Sequence, residues 1–208
     1  MSAAPGVWIT LEGGDGSGKT TQAVLLEEWL RSQGREVLRT REPGGSEVGD
    51  LIRDIVLHHR GDIAPRAEAL LYAADRAHHV STVVRPALER GEVVIQDRYL
   101  DSSVAYQGAG RVLDADEVRG LSLWAAEGAL PDLTVLLDLD PAVARRRLDS
   151  ADKPFDRLEA EREEFHQRVR EAYLGLAAAE PERFLVVDAA QDPATIAEAV
   201  RARVATLL

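Results

Sequence analysis

Five short runs of apolar residues alternate with longer segments whose apolar positions recur every three or four residues. The runs are 7–12 (VWITLE), 36–40, 92–96 (EVVIQ), 133–139 (LTVLLDL) and 183–187 (RFLVV). They are apolar at consecutive positions, which predicts strands buried on both faces. Between them, 18–33 places Leu25, Leu26, Trp29 and Leu30 on one helical face, with Gly34 as a stop. Further helices are predicted over 47–57, 114–127 (N-capped by Asp114), 142–148, 159–179 and 193–208. The stretch 65–89 reads as one long helix or two, with Pro86 as a kink. Strands alternating with helices imply a parallel sheet with right-handed crossovers. The fold class is therefore α/β, with five strands, and ligands belong at their carboxyl ends.

Length and charge narrow this further. The 208 residues contain no long linker or repeat, and 1–208 reads as a single domain. No apolar run approaches the ~20 residues of a spanning helix. The start of the chain lacks the basic and apolar regions of a signal peptide, so a cytoplasmic protein is expected. The absence of cysteine excludes disulfides and cysteine-held metal centres. A net charge of −11 argues against general binding to nucleic acid or anionic membrane. Only Lys19 and Lys153 are lysines; the other 23 basic residues are arginines.

Gly13, Gly14, Asp15, Gly16, Ser17, Gly18, Lys19 and Thr20 fit GxxxxGK[ST] between the first strand and first helix, the context that marks a P-loop. Glycines let successive N–H groups converge on an anion, and the helix start adds its positive end. Lys19 is placed to reach the β- and γ-phosphates, and Thr20 to ligate Mg²⁺. The ligand implied is a nucleoside triphosphate. A GTPase would need an Asn in its guanine-reading motif, and the chain has none. Small phosphotransferases remain, and their acceptor site has to be sought elsewhere in the chain.

Arginine-bearing segments cluster after strands or on the helices that follow: Arg41–Glu42–Pro43–Gly44–Gly45–Ser46, Arg76 within LLYAADR, and Asp97–Arg98–Tyr99 running on through Ser103, Tyr106 and Gln107. A phosphate monoester needs bidentate cations, which Arg supplies. Any one of these arginines, taken alone, reads as a solvated charge; their joint placement over one sheet edge does not. Tyr72 and Arg76 share a helix face, one suited to stack on a base and the other to read its polar edge. Asp97, at a strand end, is placed to hold the metal's water shell.

With these segments in view, the chain resembles the bacterial thymidylate kinases, which transfer the γ-phosphoryl group of ATP to dTMP. The resemblance runs nearly end to end, through LEGGDGSGKTTQ, TREPGGS, LLYAADRAHH, DRYLDSSVAYQGAGR, FDRLE and VVDA. It implies a three-layer P-loop NTPase fold, a homodimer, ATP and Mg²⁺. It also implies roles. Asp15 faces the acceptor's sugar hydroxyl, and Arg41 and Arg98 hold the dTMP phosphate. Glu42 and Arg53 line the same pocket. Tyr72 stacks, Arg76 reaches the base carbonyl, and Ser103 and Gln107 complete the base pocket. Tyr106 crowds position 2′, and Asp97 sits near Mg²⁺. Adenine lies against Arg145 and the loop near 188–191.

In this family the cation at the moving phosphoryl comes from an Arg in the P-loop or from a lid. Position 16 is Gly, so the chain resembles the lid-dependent type. The lid is expected over 145–157, with the usual arginines before Asp156–Arg157 replaced by Ser150, Ala151, Asp152 and Lys153. Lys153 is the leading candidate for the lid cation, with Arg145, Arg147 and Arg157 as competitors. Two other readings stay open: a nucleotide or deoxynucleoside kinase with another acceptor, and a non-catalytic ATP-binding switch. His58–His59 and His78–His79 read as surface or interface residues, 159–164 as a solvated helix face, and Trp29 and Trp124 as core or interface aromatics.

Overall fold

The computed structural model describes residues 6–150 and 155–208. Five strands form one parallel sheet in the order β2–β3–β1–β4–β5: β1 (Val7–Glu12), β2 (Val37–Arg41), β3 (Val93–Asp97), β4 (Leu133–Asp138) and β5 (Phe184–Asp188). β1 is central, hydrogen-bonded to β3 on one side and β4 on the other, and all six of its residues are buried. The apolar runs correspond to these strands. Three of them extend one residue further than expected, to Arg41, Asp97 and Asp188. The parallel ladder pairs these charged residues at its edge, with Arg41 level with Asp97 and Asp138 level with Asp188. Charge therefore collects along the carboxyl edge, where the loops leave the sheet.

One core layer is built from α1 (Lys19–Ser32) and α9 (Pro193–Val204), which bury Leu26, Leu30, Ile196 and Val200 against β1, β3 and β4. Trp29 packs at its margin. The other face carries two clusters. Val80, Val84, Leu100 and Tyr99 pack on Trp8 and Val94, and Phe165, Val169 and Tyr173 pack around Tyr106 and Leu136. The packing residues come from the π-helical turn (Val80–Val84) that follows α3 (Pro65–His79), from α5 (Leu100–Ser103) and Tyr99 just before it, and from α8 (Glu163–Ala179). The remaining helices are α2 (Glu47–His58), α4 (Arg85–Glu89), α6 (Ala115–Ala125) and α7 (Pro141–Asp149).

Three local readings change. The expected kink at Pro86 takes the form of the Val80–Val84 π-helical turn leading into α4, where the missing proline N–H and the ring's clash with the preceding turn are absorbed by wider backbone spacing. The segment after β3 is helical, α5 running into a second π-helical turn, Val104–Gly110, despite Gly108 and Gly110. Packing between α6 and α8 holds it where propensity does not. Finally, α8 begins at Glu163, and Glu159 lies buried ahead of it, so 159–164 is not a uniformly solvated face.

Candidate active site

The loop from Gly13 to Gly18 joins β1 to α1 and lines an open cavity with Lys19, Thr20, Arg41, Asp97 and Arg98. Gly13 has φ 130°, and a β-carbon there would meet the carbonyl oxygen of Leu137 at 2.4 Å. Lys19 is buried and donates to the carbonyls of Gly13 (3.1 Å) and Gly14 (2.9 Å), spanning the loop from inside. Burial and the neighbouring Arg98 charge lower its pKa. Thr20 is exposed in the first turn of α1 and faces the same cavity. Asp97 Oδ1 is buried, and no described donor reaches it.

A second pocket adjoins this cavity and shares part of its lining. Its walls bring together Asp15, Glu42, Arg53, Tyr72, Arg76, Arg98, Ser103, Tyr106 and Gln107. Of the acceptor residues expected from the sequence, Arg41 alone lies outside. It faces the phosphate-loop cavity, half exposed, and pairs with Asp50 at 3.4 Å. Asp15, Glu42, Arg53, Arg98 and Asp156 border both spaces, so the guanidiniums of Arg53 and Arg98 stand at the junction.

Arg98 is fixed there at some backbone cost. It follows β3 with φ 67°, a left-handed conformation unusual for a side-chain-bearing residue. Its guanidinium donates to Asp15 Oδ1 at 2.6 Å, Tyr106 Oη at 3.1 Å and Ser102 Oγ at 3.2 Å. Burial alone would raise the Asp15 pKa, but Arg98 and Lys19 hold the carboxyl well below the usual range. Beneath this pair lies Glu12, fully buried, accepting from Tyr99 N (2.7 Å), Ser102 Oγ (2.6 Å) and Tyr173 Oη (2.8 Å). Burial, followed by the charge of Asp101, pushes its carboxyl up to about 7.

A second polar cluster carries the far wall. Arg76 is 1% exposed; it donates to Ser122 Oγ (2.9 Å) and Ser103 Oγ (3.1 Å), and its Nε lies 3.0 Å from Glu42 Oε2. That last contact is an ion pair without hydrogen-bond alignment. The other Glu42 oxygen meets His79 Nδ1 at 2.9 Å, and His79 Nε2 meets Thr40 Oγ1 at 2.6 Å. Glu42 therefore props Arg76 as well as lining the pocket. His79 is fully buried, so the surface or interface reading of that histidine is corrected. Its signal was its spacing: His79 follows Tyr72 by seven residues and Arg76 by three, on the same face of α3. Asp75 accepts the Gly44 N–H with both oxygens (3.2 and 3.3 Å) and holds the loop after β2. Burial and Glu42 push its carboxyl up to about 7.

On the lid side, Lys153 lies outside the described residues. Its competitors are all engaged. Arg145 pairs with Asp149 and stacks on Phe155 at 4.1 Å. Arg147 donates to the carbonyls of Gly16 (3.3 Å) and Ala189 (3.0 Å). Arg157 pairs with buried Glu68 and donates to the Val56 carbonyl at 2.9 Å. The arginine that joins the phosphate loop to the turn after β5 is thus Arg147, whereas Arg145 lines a third pocket with Pro141 and His166 that also touches the loop at Gly13, Gly14 and Asp15. Trp124 is 78% exposed and belongs to no described core cluster.

The sequence reading missed Glu12, Glu68, Asp75, Ser122, Asp156 and Tyr173. Glu68 left a usable trace, since it precedes Tyr72 by four residues and Arg76 by eight on α3. Tyr173 left none, because its partners are more than 70 residues away along the chain.

The family model for thymidylate kinase matches residues 11–200. The thymidylate kinase of Clavibacter sepedonicus is 75% identical over 203 residues, covering 98% of this chain and 96% of that protein. The thymidylate kinase of Leifsonia xyli subsp. xyli is 75% identical over 199 residues, covering 96% and 94%. Among solved structures, the thymidylate kinase of Ehrlichia chaffeensis superposes with a TM-score of 0.74 at 31% identity, covering 88% of this chain and 93% of its own.

Proposed function

The chain belongs to the thymidylate kinase family and phosphorylates dTMP; on that premise we propose how its residues divide the work. ATP is the donor, and its phosphates occupy the loop at Gly13–Thr20. Transfer is direct and in line, the dTMP phosphate oxygen attacking the γ-phosphorus while ADP leaves, so positioning and charge neutralisation provide the rate. Thr20 Oγ1 and Asp97 are the residues that would hold Mg²⁺, because two hard oxygen donors, one a buried carboxylate oxygen without a described partner, suit an ion that keeps much of its water. When bound, the ion supplies neutralisation of phosphate charge.

The acceptor lies in the pocket of Tyr72, Arg76, Ser103, Tyr106 and Gln107. Its phosphate stands at the junction marked by Arg53 and Arg98, with Arg41 on the donor side. Asp15, ionised and braced by Arg98, accepts from the sugar hydroxyl. The observation that carries this reading is that the acceptor pocket and the phosphate-loop cavity share a wall, with the Asp15–Arg98 pair bordering both. Charge on the transferring group comes from Lys19 together with a lid cation, for which Lys153 is the candidate.

The assignment extends to assembly and location. No helix among the described residues is long and apolar enough to cross a membrane, and the chain acts in the cytoplasm as one domain. α2, α3 and α6 pack side by side, and each exposes large apolar side chains: Val48, Leu51 and Ile55, then Leu70, then Trp124. These surfaces form the contact of a homodimer. Light scattering on the purified protein tests it, and a monomer at micromolar concentration contradicts it. ATP-dependent turnover of dTMP, dCMP and AMP tests the acceptor: dTMP is expected to be favoured by at least about 100-fold, and equal rates contradict the pocket assignment.

A further inference from the structure

Glu68 is a fully buried carboxylate on α3 that touches neither cavity. Three groups from two other parts of the chain converge on it. Gln107 Nε2 donates to Oε1 at 2.9 Å, Arg111 Nε approaches the same oxygen at 3.4 Å, and Arg157 pairs with Oε2. Two guanidiniums fix the carboxylate in place, and a carboxylate offers only acceptors. The side-chain amide of Gln107 has a donor end and an acceptor end, distinguished only by what each one faces. Its donor end is committed to Glu68. Its acceptor, Oε1, has no donor among the described residues, yet Gln107 is 2% exposed and lines the acceptor pocket.

We propose that Glu68 is a specificity-determining positioning residue: by holding the amide of Gln107 in one orientation, it leaves a carbonyl oxygen as the group offered to the base. This rests on the assignment of that pocket to the base of the acceptor. An amide locked this way favours an imide base, thymine or uracil, whose N3 carries a hydrogen to donate. Cytosine presents a bare N3 lone pair, which would face the Gln107 oxygen unpaired. An unlocked glutamine would turn its NH₂ towards cytosine at little cost. With the carboxylate behind it, that rotation would set an amide oxygen against a carboxylate oxygen. The selectivity of the pocket is therefore set one residue behind its wall.

The test compares kcat/KM for dTMP, dUMP and dCMP in the wild-type enzyme and in Glu68→Gln, whose own amide accepts either orientation of Gln107. The dTMP/dCMP ratio is expected to fall at least about tenfold, with the dTMP/dUMP ratio unchanged within about twofold, because both imides carry the same N3–H. A scaffolding role would lower all three together, and an unchanged dTMP/dCMP ratio overturns the proposal. In a Gln107→Met background, Glu68→Gln is expected to shift neither ratio; a persisting shift shows that Glu68 does not act through Gln107 and also overturns it. Should Glu68→Gln not fold, Glu68→Asp keeps the charge for both arginines and draws it back from the amide. The same shift is then expected at smaller size, and an unchanged ratio is again contradictory. Failure of the pocket assignment itself looks different: the wild-type enzyme would not prefer dTMP to dCMP at all.

Discussion

A β-carbon on Gly16 would stand 2.9 Å from the carbonyl oxygen of Ala144 on α7, with φ at 77°. The phosphate loop and α7 are therefore packed so closely that position 16 admits glycine alone. This gives a physical reason why position 16 carries no arginine and why Lys19 is the cation the loop supplies. Gly16→Ala is expected to cost about 1–2 kcal/mol from the left-handed backbone alone, and more from the clash. Gly16→Arg, which would bring an arginine into the loop, should lower the melting temperature and the turnover together. A Gly16→Arg enzyme as stable and active as wild type would show that α7 yields easily.

Lys19 is the compact charge at the centre of the loop. Lys19→Met should reduce kcat by about 100-fold or more while leaving the circular dichroism spectrum and the melting temperature near wild type. Turnover near wild type would remove the lysine from the mechanism.

The ion pair of Glu42 with Arg76 is buried at both ends, with side chains 2% exposed. Removing one partner strands the other charge away from water. Glu42→Ala should therefore cost on the order of 3–5 kcal/mol in urea unfolding, although Glu42 sits at the rim of a ligand pocket. A loss below about 1 kcal/mol would mean that water replaces the carboxylate.

Glu12 and Asp75 make stability fall as pH rises. Both carboxyls hold their protons to about pH 7 in the folded protein, against ordinary values of 4.5 and 3.8. Between about pH 4 and 7 the native state therefore binds more protons than the unfolded chain, and unfolding becomes easier across that window and levels off above it. Asp15, whose pKa is lowered, acts only below its ordinary value and stays out of this range. Urea midpoints at pH 5, 6, 7 and 8 should decline, and Asp75→Asn should flatten the slope. A midpoint that rises towards pH 8 would contradict the assignment.

The parts of this architecture readable in the sequence are those whose cause is local. Apolar runs mark strands because both faces of a parallel sheet are buried, and Gly13–Thr20 marks the phosphate loop because consecutive residues build it. Tyr72 and Arg76 were found together because helical spacing put them on one face. Glu12, Asp75 and Tyr173 were not, because whether a polar side chain can be buried depends on partners far along the chain. The helical path of 100–110 escaped for a similar reason: its glycines disfavour helix, and contacts with α6 and α8 outweigh them. Arg145 and Arg147 differ by two residues and point to opposite sides of α7, a distinction that no count of arginines contains.

The division of the site into a donor loop and an acceptor pocket is tested most directly by a crystal structure of the enzyme with dTMP and ADP. The thymine ring is expected against Tyr72, within hydrogen-bond distance of Arg76 and Gln107, with its phosphate between Arg53 and Arg98. Thymine seated instead in the pocket that Arg145 and His166 line with Gly13 and Gly14, or a dTMP phosphate remote from Arg98, would contradict it.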